Sequence, residues 1–158
     1  MNKRQIVIGV GIAAVGLAWY AFRPELLFVN KQVSEQFPAS ASVAGGPVSL
    51  AKGKFKGLAH ETKGVATIYQ LAEGRKTLRL TEFATSNGPD VHVYLTAAAV
   101  EKGSDAIKSA GFVDLGSMKG NQGDQNYDIP ADVDLSKYKS VSIWCARFGV
   151  NFGVAPLT

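Results

Sequence analysis

The sequence predicts an all-β domain, an antiparallel β-sandwich or barrel-like unit, carried behind a single N-terminal transmembrane helix. Three observations lead there. Residues 5–22 are 18 consecutive uncharged residues, preceded by Lys3-Arg4 and closed by Arg23-Pro24. Residues 23–49 mix Pro24, Pro38 and Pro47 with the run ASASVAGG, the composition of a tether. From about residue 50 onward, short alternating segments are separated by turn chemistry, which is the pattern of a sandwich or barrel. The expected organisation is a cytoplasmic stub at 1–4, a signal anchor at 5–22, a linker at 23–49 and a β domain at 50–158.

The anchor follows from length and from the absence of a polar face. At a rise of 1.5 Å per residue the apolar run makes a helix roughly 27 Å long, close to the ~30 Å hydrocarbon core. It is apolar all round, unlike an amphipathic core helix, and Trp19, Tyr20 and Phe22 crowd one end like an interfacial belt. A cleaved signal peptide requires small residues just beyond the apolar run. The nearest Ala-x-Ala, Ala39-Ser40-Ala41, lies too far downstream, so the anchor is expected to stay uncleaved. Lys3, Arg4 and the terminal amine precede the span, while Arg23 and Lys31 follow it; this positive-inside bias puts the N-terminus in the cytoplasm and the domain outside. The run from Leu26 to Val29 either extends the anchor as an interfacial helix or packs on the domain.

Composition narrows the function classes. At 158 residues, 46% hydrophobic and 19% charged, the chain has room for one domain with accessories, which excludes a large multidomain enzyme. The 17 basic and 13 acidic residues include Lys3, Arg4, Arg23, Lys31 and Glu25 in the first 31, so 13 basic and 12 acidic residues remain for everything after. No basic stripe is left on the domain, and nucleic acid is excluded as a partner. One cysteine rules out an internal disulfide framework and any CxxC motif.

In the domain, strands are expected at 54–58, 65–71, 77–83, 91–97, 112–115, 125–129, 140–148 and 150–155. Turns are expected at Glu73-Gly74, at Asn87-Gly88-Pro89-Asp90 and between Gly120 and Asp124. Val91, Val93 and Leu95 share one strand face, with His92 and Tyr94 on the other. Only 98–110 has a helical flavour, with room for one short helix.

Cys145 is the first chemical candidate, the lone thiol in the strand-like run SVSIWCARF. Continued alternation would place Val141, Ile143, Cys145 and Arg147 on one face; a guanidinium there would favour the thiolate, whereas an apolar seal would favour the thiol. A small buried hydrophobe is the structural alternative. His60, flanking a strand, is the better partner for Cys145, and His92 lies within a strand. Two His, one Cys and Met118 are the ligand types of a blue-copper site, but no His or Met follows Cys145 as that site's order requires. Cys145, His60 and His92 are therefore the metal candidates, with surface or satisfied histidines as the plain reading.

Asp124, Asn126 and Asp128 have the first spacings of a calcium loop, but Ile129 and Leu135 stand where Gly and Glu are needed, so turn capping explains them better. Lys52, Lys54 and Lys56 alternate as a solvated edge that deters edge pairing. No phosphate loop, nucleophile elbow or HExxH occurs.

The runs GKFKGLAHETKG, TLRLTEF, NGPDVHVYL, VDLGSMKGNQGDQNYDIP and YKSVSIWCARFGVNFGVAPL resemble, in order and spacing, the DM-thirteen electron-transfer domain family. The resemblance covers about 50–157. It implies an extracytoplasmic β-rich module, often anchored by one span, whose characteristic cysteine, Cys145 here, is redox active as a bare thiol or as ligand to a prosthetic group. His60 matches the family's H-x-x-x-G element.

The reading that follows is a membrane-anchored, extracytoplasmic redox or electron-transfer module. Cys145 carries the chemistry as thiolate or as ligand to a metal or haem, Arg147 tunes the thiolate, and His60 is a partner or ligand; the cofactor is left unidentified. Its partners are the membrane, through one span, and an extracytoplasmic protein or redox partner. The alternative is a non-catalytic binding or adhesion sandwich with a structural Cys145. A stand-alone enzyme, a sortase-like cysteine transpeptidase, fits the residue types but lacks a TLxTC-like sequence.

Overall fold

The computed structural model describes every residue except Met1, Phe28, 39–45 and 99–103, and every side chain of the described residues except Leu26, Leu27, Glu73, Ser104, Asp105 and Lys108. The Ala39-Ser40-Ala41 run lies outside the described residues, as does the packing of Leu26, Leu27 and Phe28. The apolar run forms helix α1 (Lys3–Phe22), opened by a capping box in which the Asn2 side chain accepts from the Gln5 backbone N–H and the Gln5 side chain accepts from that of Asn2. None of its residues is buried, and it is long and apolar enough to cross a membrane.

Among the described residues the rest of the chain is built mainly of two five-stranded sheets packed face to face, which do not close into a barrel. One has the order β1 (Gln32–Ser34), β8 (Gln122–Ile129), β5 (Lys76–Ala84), β4 (Lys63–Gln70), β2 (Val48–Lys54). The other runs β3 (Lys56–Gly57), β10 (Val150–Pro156), β9 (Ser140–Cys145), β6 (Val91–Thr96), β7 (Phe112–Ser117). Between Ala98 and β7 stands the short helix α2 (Ser104–Ala110). The domain is a sandwich, antiparallel throughout except where β1 runs parallel to β8. Lys52 and Lys54 are exposed on edge strand β2, and Lys56 is exposed on edge strand β3.

Period-two alternation builds the core. Ile68, Leu78, Leu80, Val93, Leu95, Val141 and Ile143 point inward from both sheets into one cluster that also contains Phe55, Phe83, Phe152 and Cys145. On the opposite face of β6 and β9, Tyr94 and Trp144 stack beneath Ala98 and Ile107 of the α2 region. β9 is thus buried on both faces along its whole length, as a central strand in a covered sheet must be.

Four departures from the sequence-based expectation stand out. The expected strand 54–58 is split: β2 runs over Val48–Lys54, ending where that strand was to begin, and β3 keeps only Lys56–Gly57, so Lys52 and Lys54 lie on the edge of one sheet and Lys56 on the edge of the other. Part of the expected tether is β1, paired with β8 through Gln32, Val33 and Ser34. β8 begins at Gln122, so Asp124 and Asn126 project from a strand instead of capping a turn. Their carboxylate and amide hold Arg79, whose Nη2 donates to Asp124 Oδ2 at 2.7 Å and whose Nη1 donates to Asn126 Oδ1 at 2.9 Å. β9 ends at Cys145, three residues before the expected 148.

Beyond β1, the Glu35 carboxylate accepts from Lys119 Nζ at 2.8 and 3.0 Å and from the Asn126 backbone N–H at 2.7 Å. Burial raises the Glu35 carboxyl, but the bonds from Lys119 and Asn126 outweigh it and hold the group below its ordinary range. Next to this clasp the Tyr127 hydroxyl donates to Gln125 Oε1 at 2.6 Å, and burial pushes its pKa up to about 12.

A carboxyl lowered in the folded state stabilises the fold above its unfolded pKa, and the gain is lost as pH falls through the folded value. Glu35→Gln is therefore expected to cost about 1 kcal/mol at neutral pH, the scale of a partly exposed ion pair with one backbone bond. Denaturant unfolding of both proteins at stepped pH checks this: the gap should close below the ordinary glutamate range, and a gap that persists in acid would contradict the clasp.

Candidate functional site

The site forms where β9 stops. After Cys145 the chain turns through 146–149, closed by the Gly149 N–H donating to the Cys145 carbonyl at 2.9 Å. Gly149 sits at φ 64°, a left-handed conformation that disfavours side chains. Cys145 therefore faces the core at the open end of the sandwich, opposite Val91 of β6 and Val150 of β10. It is 1% exposed and belongs to the main core cluster.

Because the strand has ended, alternation no longer governs Arg147, and the expectation that it shares the face of Cys145 fails. Arg147 lies in the exposed turn, where its Nη1 donates to the carbonyls of Tyr20 at 3.1 Å and Ala21 at 2.8 Å. These are among the carbonyls that a helix C-terminus leaves without internal partners. The guanidinium also lies over the Tyr20 ring at 5.8 Å, and Phe148 stacks on Phe22 with centroids 5.8 Å apart. The turn that follows the thiol is thus docked on the end of α1.

His60 is carried by the loop between β3 and β4. The backbone N–H groups of Leu58 and His60 both donate to the Phe152 carbonyl, at 2.9 and 3.2 Å. The Thr62 hydroxyl lies 2.8 Å from that of Thr85 and 3.3 Å from the carbonyls of His60 and Phe152. Such close approach needs Gly153, where a Cβ would come within 2.4 Å of Thr62. The imidazole packs on the Phe152 ring with centroids 4.0 Å apart, and among the described residues neither ring nitrogen has a hydrogen-bond partner.

Cys145 and His60 line one cavity of 320 Å³ with Phe22, Pro24, Phe148 and Val150 among its walls. Its surface is predominantly apolar. His60 also lines a second cleft of 430 Å³, more polar than the first, with Glu61, Lys63 and Asn87. One imidazole therefore stands between an apolar chamber containing the thiol and a more polar surface.

His92 is not part of this site. In register with Trp144, it occupies the face of the sheet opposite Cys145. Both its ring nitrogens meet carboxylates, Nδ1 with Asp114 at 2.9 and 3.1 Å and Nε2 with Asp90 at 3.1 Å. Met118 packs against the core. Among the described residues no group of three or more His, Cys, Asp and Glu is placed to hold a metal ion. A thiol and one imidazole fall short of the ligand set of a closed metal site.

A family model described as Electron transfer DM13 matches residues 54–157. The chain belongs to this family. DM13 membership supports a general electron-transfer or redox-type role, and the match covers the strands that build the cavity from β3 to β10. Neither a curated protein nor a solved structure matches the chain significantly. In this DM13 domain the contributions that sequence reasoning missed are Phe22 and Pro24, which read only as an anchor end and a linker, and Phe148, which read as strand.

A buried thiol reached through an apolar chamber should discriminate between reagents by polarity. N-ethylmaleimide is expected to alkylate Cys145 in the folded chain at least tenfold faster than a permanently cationic methanethiosulfonate, relative to their rates with a free thiol. Mass spectrometry of timed samples checks this, and equal relative rates would show that the chamber does not control access.

Proposed function

We propose that this chain is a membrane-anchored, extracytoplasmic electron-transfer module whose redox group is the thiol of Cys145. The observation that carries the reading is the shared cavity, in which the lone thiol and His60 meet the end of α1. An electron-transfer family supplies the class of activity, and the cavity supplies a place for it. A thiol releases electrons far more readily as thiolate, so it needs a proton acceptor nearby. His60 is the titratable neighbour in the chamber, and the more polar cleft on its other side gives the proton a route to water. With one cysteine, no dithiol cycle operates within one chain, so the thiolate passes two electrons to the disulfide of a second molecule, forming a mixed disulfide with it and releasing that molecule's other sulfur as thiolate.

In this reading Arg147 positions the site by fastening the turn after Cys145 to α1. A haem iron needs one axial thiolate from this chain, but a porphyrin is larger than the 320 Å³ chamber. Together with the short ligand set, that favours the bare thiol over ligation. Lys3 and Arg4 before α1 support an outside location for the domain. Burial of Cys145 in the main core favours the second reading, a binding module with a structural cysteine.

The test uses the full chain in phospholipid nanodiscs beside Cys145→Ser, with visible spectra, metal analysis and addition of a lipid-soluble dialkyl disulfide as an apolar two-electron oxidant. The wild type is expected to form a mixed disulfide at Cys145 and release one alkanethiol, and the equally folded variant to leave the disulfide unchanged. A visible band or stoichiometric metal lost in the variant would make Cys145 a ligand instead. An inert thiol, with stability lost in the variant, would favour the binding module.

A further inference from the structure

We propose that the chamber beside Cys145 is a binding site for the head group of a membrane quinone, an inference that rests on the electron-transfer reading of the same site. A volume of 320 Å³ falls at the lower end of small-molecule pockets, suited to a single substituted ring. Phe22 is the last residue of α1 and Pro24 follows just beyond its cap, so the chamber adjoins the level at which that helix leaves the hydrocarbon. Its ligand therefore arrives from the lipid phase. Exposed Phe148, stacked on Phe22, continues the apolar surface at this level.

The chemistry of the walls selects the ligand class. Phe152, Phe148 and Phe22 line the chamber, and a planar ring gains from edge or face contact with aromatic side chains beyond area burial. The His60 ring nitrogens have no partner among the described residues, so an N–H directed into the chamber would be satisfied by a ligand carbonyl. An acyl chain offers that donor nothing. A fatty-acid carboxylate would need a cation, but Arg147 is committed to the carbonyls of α1 and Lys63 lines the other cleft. A quinone is apolar, planar and a double acceptor.

The test separates binding from electron transfer by using the full chain with Cys145→Ser in phospholipid nanodiscs. A decyl-substituted benzoquinone is titrated by calorimetry against the protein and against empty nanodiscs, with decylbenzene as the carbonyl-free control. Saturable one-to-one quinone binding above the empty-disc background is expected. Val150→Trp, which fills the chamber, should weaken it at least tenfold, and His60→Leu should weaken it about tenfold while leaving decylbenzene unaffected. Should Val150→Trp fail to fold, Phe148→Ala in the exposed turn removes one wall and is expected to cost about fivefold. No binding above background, no effect of these substitutions, or decylbenzene bound as tightly as the quinone would overturn the proposal, the last outcome marking an acyl-chain site. Quinone binding with an inert wild-type thiol would sink only the electron-transfer reading; mixed-disulfide formation by the wild type without quinone binding would sink only this one.

Discussion

The end of β9 is where the properties of this molecule meet. Six residues of continuous burial make it a central strand, and each inward position goes to a residue that fills the core. The last of them is Cys145, because the chain then turns through Gly149 in a left-handed conformation. Had the strand run on to 148, Arg147 would share the inward face of Cys145. Instead Cys145 closes the end of the core, the arginine reaches the end of α1, and Cys145 lines a chamber with Phe22 and Phe148.

The chamber is assembled from chain segments far apart in sequence, so its geometry depends on how firmly each is held. The His60 loop is fixed by backbone bonds to Phe152 and by the Thr62–Thr85 hydroxyl contact. On the other sheet, the segment joining α1 to the domain is tied down by β1 and the Glu35 clasp before it reaches β2. That attachment shortens the free path between α1 and the sandwich and supports the docking of the 146–149 turn on Tyr20 and Ala21. Burial without polar partners would make a thiol and an imidazole merely structural; placement on the wall of an open chamber gives both a possible reactant.

Much of the sandwich was legible because period-two alternation is a local property. Val91, Val93 and Leu95 against His92 and Tyr94 could be assigned to opposite faces from five residues, and the structure has them so. The short helix within 98–110 was also legible, whereas Lys52, Lys54 and Lys56, read as one solvated strand face, are divided between β2 and β3, edge strands of different sheets. β1 was not, because Gln32–Ser34 has no hydrophobic pattern and its partner strand lies some 90 residues away, as the Lys31–Asn121 bond illustrates. The site was half legible: residue type singled out Cys145 and His60, but alternation extrapolated across an unseen turn misplaced Arg147. Nothing local could show that Phe22 and Pro24 wall the same chamber, since one read as part of a span and the other as a linker.

Exchange of electrons at Cys145 through the apolar chamber is tested most directly by an equilibrium thiol–disulfide titration of that thiol. The full chain in nanodiscs would be equilibrated with stepped ratios of a lipid-soluble alkanethiol and its disulfide and, in parallel, of a charged water-soluble thiol and its disulfide, each oxidised Cys145 being a mixed disulfide formed with release of one small thiol, and the free Cys145 thiol counted at each step. One reversible transition at Cys145 is expected, reached rapidly only with the lipid-soluble pair. A thiol count unchanged across the whole range, or the same approach to equilibrium with both pairs, would contradict electron exchange through the chamber.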